Sequence, residues 1–76
     1  MKNYFTMKND FGTDWYLPFE KITTFGIDAG NRFWIRCDSQ EYGTHDESKT
    51  QFDEFKKQFD EFLNPAPKFK EMKPND

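Results

Sequence analysis

The sequence predicts an α+β fold: a small antiparallel β-meander of four to five strands, one C-terminal amphipathic helix packed on one face, and then a disordered tail. Three observations predict it. Residues 3–44 are rich in aromatic and β-branched side chains punctuated by Gly, Asn and Asp, which is strand-and-turn patterning. Between Ser48 and Leu63, Phe recurs at helical spacing. Beyond Asn64, three prolines and three lysines accompany only Phe69 and Met72 as sizeable apolar groups, too few to build a core. The organisation is therefore a single domain over residues 1–64 followed by a flexible Pro/Lys-rich tail over residues 65–76.

Residues 3–8 form the first predicted strand, with Phe5 and Met7 on one face and Tyr4 and Thr6 on the other. Asn9, Asp10, Phe11 and Gly12 make a turn, because Asn and Asp tolerate unusual backbone angles and Gly supplies a positive φ. Trp15, Tyr16 and Leu17 form the second strand, ended by Pro18, which has no N–H to donate. The third runs over residues 23–27, with Phe25 and Ile27 sharing a face. Asp28, Ala29, Gly30 and Asn31 then give the strongest hairpin signal in the chain. They lead into residues 32–37, where Phe33, Ile35 and Cys37 face one way and Trp34 and Arg36 the other. A short fifth strand is expected around Glu41, Tyr42 and Gly43.

The helix is predicted over residues 48–63. Ser48 and Gln51 have the spacing of a capping box, with Asp46 or Thr44 as alternative caps. Phe52, Phe55, Phe59, Phe62 and Leu63 fall on one arc, while Asp53, Glu54, Lys57, Asp60 and Glu61 occupy the other side. Asp53 stands four residues before Lys57, the favourable order for a pair on one helix face. Asn64 followed by Pro65 ends the helix, since the residue before proline is pushed out of the α region.

At 76 residues the chain buries only about 60% of its unfolded surface. The core is aromatic of necessity: ten Phe, two Trp and three Tyr stand against three Ile, two Leu and no Val. A single Cys forms no internal disulfide and points to a reducing compartment. No long apolar run suggests a signal peptide or a membrane span, so a cytoplasmic location is expected. A net charge of −3 argues against duplex nucleic acid or an anionic membrane as the main partner, because those contacts need clustered Lys and Arg.

Catalysis has little to work with. Cys37 is expected on an inward strand face and His45 in a polar loop, so a thiol and its base do not meet. The helix carboxylates are interleaved with Lys56 and Lys57 rather than gathered in a cleft. Asp10 and Asp14 flank a glycine but lack the spacing and closing Glu of a calcium loop, so neither a metal nor a cofactor is expected. The glycines are too scattered to cradle phosphate. The chain reads as no enzyme, with no small-molecule substrate evident.

Two features bear on partners. Gln51-Phe52-Asp53-Glu54-Phe55 recurs seven residues later as Gln58-Phe59-Asp60-Glu61-Phe62. Two heptads fall short of a coiled coil, and the Phe edge is expected to pack on the chain's own sheet. If the inward face meets that helix, Tyr4, Tyr16, Trp34 and Arg36 are left on the outward face, a residue mix enriched at interface hot spots. The expected function is a small non-enzymatic protein-binding module using that aromatic face and the acidic helix face of Asp53, Glu54, Asp60 and Glu61. The preference for Lys over Arg, with abundant Phe, Asn and Asp and scarce Ala, Val and Leu, looks like translation from an AT-rich genome. Compact acidic proteins of this kind are common among phage and mobile-element products, so a phage-type inhibitor or adaptor of a larger host protein, in the host cytoplasm, is the expected setting. The alternatives are a self-associating structural protein, with a homodimer burying the same face, and a single-strand nucleic-acid binder that stacks bases beside Arg32 and Arg36.

Overall fold

The structure is a computed structural model, and it describes residues 3–65. The predicted tail, from residue 66 onward, lies outside the described residues. Five strands, a short 3₁₀ turn and one helix follow in the order β1 (Tyr4–Lys8), β2 (Asp14–Pro18), the 3₁₀ turn (Phe19–Lys21), β3 (Ile22–Ile27), β4 (Phe33–Cys37), β5 (Gln40–Thr44) and α1 (Ser48–Leu63). The α+β class and the helix bounds are as expected.

The strands do not form one sheet. β1 and β2 make a two-stranded ribbon, and β3, β4 and β5 make a separate antiparallel sheet in that order. The division falls where β2 ends. Pro18 cannot donate to a ladder, and the chain winds into the 3₁₀ turn, with the Phe19 N–H donating to the Asn3 carbonyl. That turn buries Phe19, a core position the sequence reading did not single out. Within the larger sheet the register is Phe25↔Ile35 and Ile35↔Tyr42, with an irregularity between Ile22 and Thr24.

The tight turns are made by residues that accept a left-handed backbone. Gly12 has a φ of 86° in the β1–β2 turn. Asp38 and Ser39 join β4 to β5 as a two-residue hairpin with φ of 56° and 82°, and only Cys37↔Gln40 closes it. At residues 28–31, the Asp28 carboxylate accepts from the N–H groups of Gly30 and Arg32.

Helix α1 packs on β1, β3 and β4 and so lies across both sheets. Phe55 is wholly buried, with its ring 5.1 Å from Phe5, 4.8 Å from Phe25, 5.9 Å from Phe33 and 5.2 Å from Phe59, measured between centroids. Phe19 stacks on Phe62 at 5.2 Å. The Phe edge of the helix thus packs on the chain's own sheets and 3₁₀ turn, as expected, with Phe55 fully covered and Phe52, Phe59 and Phe62 half-buried. On the far side of the core, Trp15 and Tyr42 meet edge to face at 5.0 Å and join β2 to β5.

The capping box does not form. Glu47 precedes the helix in a left-handed conformation, φ 46° and ψ 43°, and no side chain caps the first turn. Ser48 is buried. Gln51 turns instead to the end of β1: its carbonyl accepts from the Lys8 N–H at 2.9 Å, and its amide donates to the Lys8 carbonyl at 3.0 Å and the Asp46 carbonyl at 2.7 Å. A side chain that satisfies both backbone groups of a strand residue has better partners than the local box provides. Asp53 and Lys57 form no ion pair; those of the described residues lie off the helix.

Candidate functional site

The outward residues fall on two surfaces because the strands fall into two sheets. On the β1–β2 ribbon, inward Phe5, Met7 and Leu17 alternate with outward Tyr4, Thr6 and Tyr16. The Tyr4 and Tyr16 rings meet edge to face at 5.7 Å, and the side chains stay 39% and 63% exposed. At the tip of the same hairpin Phe11 is 88% exposed. The sequence reading placed Phe11 in the turn without giving it a role. Its signal was a large apolar residue between Asp10 and Gly12, a place from which no side chain reaches the core.

That tip is rigidly built. Asn9 is buried, and its carbonyl oxygen accepts from the N–H groups of Phe11 at 2.8 Å and Thr13 at 3.1 Å, while its amide donates to the Thr13 hydroxyl at 2.6 Å. Asp10 fixes the tip to the rest of the molecule. One of its oxygens accepts from the Thr44 hydroxyl at 3.1 Å and from the backbone N–H groups of His45 at 2.8 Å and Asp46 at 3.0 Å. The other lies 3.3 Å from His45 Nδ1. The hydrogen bond from the His45 N–H, opposed by partial desolvation and aided by the remaining donors, holds the Asp10 carboxyl below its ordinary range. Asp10 thus has a structural task, tying the hairpin tip to the end of β5. No group of three or more His, Cys, Asp or Glu among the described residues is arranged to hold a metal ion.

Trp34 and Arg36 lie on the outer face of the second sheet. Trp34 is half-buried and lies over Gly26, its cross-strand neighbour on β3, while Gly43, its neighbour on β5, lies under the Arg32 guanidinium. A Cβ on Gly26 would come within 3.0 Å of the indole, and one on Gly43 would collide with the Arg32 guanidinium. Glu41 accepts from Arg32 at 3.0 Å and from Arg36 at 3.3 Å. Of the four aromatic-face candidates, then, Tyr4 and Tyr16 are in contact, and Trp34 and Arg36 form a second cluster on the other sheet.

Asp53, Glu54, Asp60 and Glu61 are all exposed on α1. Gln58 donates to Glu54 at 2.9 Å, and the Lys56 ammonium sits 4.6 Å above the Phe52 ring.

Cys37 and His45 stand at opposite ends of the β4–β5 ladder. Cys37 pairs with Gln40 at the hairpin end, whereas His45 follows Thr44, the partner of Phe33. Four strand residues separate the two levels, about 14 Å. Burial, together with the neighbouring Asp38 carboxylate, pushes the Cys37 thiol up, away from the thiolate a nucleophile needs. None of the described helices is long and apolar enough to cross a membrane. No family model, curated protein or solved structure matches the chain.

Proposed function

We propose that this chain is a non-enzymatic protein-binding module whose main contact surface is the β1–β2 hairpin. The observation that carries the reading is the exposure of three aromatics on one hairpin: the Tyr4–Tyr16 pair on its outer face, and Phe11 at a tip braced by Asn9 and Asp10. A hairpin whose tip is braced by these hydrogen bonds has less backbone freedom to lose on binding, which favours affinity. Trp34 and Arg36 add a second contact on the neighbouring sheet, and Asp53, Glu54, Asp60 and Glu61 steer a basic partner toward the acidic side. The partner is a larger host protein, inhibited or bridged by a phage-encoded chain in the host cytoplasm.

Immobilised wild-type protein is expected to retain a partner that the Tyr16→Ser, Phe11→Ser double variant loses, at unchanged far-ultraviolet circular dichroism. Hot-spot residues contribute about 2 kcal/mol or more, so each substitution weakens binding roughly 30-fold. Trp34→Ala reports separately on the second cluster. Full retention by both variants would overturn the reading. A homodimer through the same tyrosines would instead appear as a mass that doubles with concentration in light scattering. Nucleic-acid binding would appear as affinity that falls steeply with salt. The Trp34 surface offers little for that last function, because Glu41 engages both adjacent arginines and offsets half of their charge.

A further inference from the structure

Alongside the C-terminal half of α1 runs an open groove of about 440 Å³, floored by Phe25, Phe59 and Leu63 and edged by Lys56 and Asp60. A volume of that order lies in the range of clefts that hold ligands. Leu63, in the last turn, is left 57% exposed, although it sits on the apolar arc of the helix. The same turn carries Asp60 and Glu61 and no basic residue. Two carboxylates therefore sit at the negative end of the helix dipole, where cations are favoured.

We propose that this groove is the docking site of the chain's own residues 66–76, with the Phe69 ring against Phe59 and Leu63. This goes beyond the binding function above, whose contacts lie on the hairpin and the outer sheet face and which uses the helix carboxylates only to steer approach. The segment has the matching chemistry. Phe69 and Met72 are its large apolar residues, and Lys68, Lys70 and Lys73 outnumber Glu71 and Asp76. Those lysines provide the cations that the last turn of α1 lacks. The tether is long enough. From Pro65, four residues reach at most about 14 Å to Phe69. The helix rises only about 6 Å from Phe59 to Leu63, so a chain that doubles back covers the floor. Being covalently attached at the groove's edge, the segment meets it at high effective concentration and needs little intrinsic affinity.

The test is nuclear magnetic resonance on the full-length chain. Docking predicts nuclear Overhauser contacts between the Phe69 ring protons and the Leu63 methyls. Phe69→Ser is expected to abolish them and to shift the resonances of Leu63, Phe59 and Phe25 while leaving the β1–β2 hairpin unmoved. Leu63→Ser, at an exposed position that leaves the core intact, is expected to release residues 66–76 to random-coil shifts. Random-coil shifts for those residues in the wild type, or groove resonances indifferent to Phe69→Ser, would overturn the proposal. So would contacts that appear only between labelled and unlabelled copies, which would make a second copy the occupant. The capture experiment above is read on the hairpin, so each proposal can fail without the other.

Discussion

Phe55 is the residue on which the fold turns. Its ring touches side chains from β1, the 3₁₀ turn, β3 and β4, so truncation there empties the centre of the core rather than one flank. Phe55→Ala is expected to cost about 3–5 kcal/mol, as large-to-small changes of a buried Phe do. The per-residue average gives a chain of this length a total of only roughly 4–11 kcal/mol, so a large share is lost. Urea denaturation read by circular dichroism measures it, and a loss under about 1 kcal/mol would contradict the central role of the ring. Cys37 makes a prediction of the opposite kind. Its buried thiol, pushed up from its ordinary value, is expected to react slowly with an alkylating reagent near pH 8 in the folded protein and rapidly in urea. Fast labelling without denaturant would show that β4 opens readily. The inward positions Phe5, Met7, Phe33, Ile35, Cys37 and Phe55 were legible in the sequence because period-two and helical alternation mark them directly. Phe19 was not legible, since it follows a proline in a stretch with no period.

At the scale of elements, the local signals were read well and the long-range ones were not. Strand faces, the Asp28 hairpin and the C-terminal end of the helix at Asn64 follow from neighbouring residues alone. The capping box failed because Gln51 found partners at Lys8, forty-three positions earlier, and no local rule anticipates that. The division into two sheets was hidden for the same reason, as strand alternation is identical whether a ladder continues or breaks. It is also why the outward aromatic set, correctly placed on outward faces, separates into a tyrosine pair and a Trp34 cluster. The β4–β5 turn offers a test of local strain. Ser39 holds a φ of 82°, which costs a residue with a Cβ about 1–2 kcal/mol relative to glycine's freedom there. Ser39→Gly is expected to stabilise the protein by up to about 1 kcal/mol, after the greater flexibility glycine gives the unfolded chain, and to raise the thermal midpoint. A lowered midpoint would mean that the serine makes a compensating contact.

For the whole molecule, Asp10 connects what the backbone ladders leave apart. It belongs to the β1–β2 turn, yet its acceptors serve Thr44, His45 and Asp46 at the end of β5 and the approach to α1. Its carboxyl is depressed in the folded state, so as the pH falls the unfolded chain takes up this proton first. The resulting stability is present above the ordinary aspartate range and is lost as the pH drops through the lower folded value. Denaturation midpoints are therefore expected to decline below about pH 4, and Asp10→Asn is expected to lower stability at neutral pH while flattening that decline. An unchanged acid profile in the variant would assign the decline to other carboxylates. The position of α1 along the chain adds a consequence in time. Both sheets place their apolar faces against Phe52, Phe55, Phe59 and Phe62, and those residues come after every strand in the order of synthesis. A ribosome making this protein therefore releases the apolar residues of every strand before the helix residues that cover them. Until α1 follows, those side chains lack the cover that hides them in the finished fold, and a nascent chain cut short before Ser48 carries them exposed and prone to aggregate.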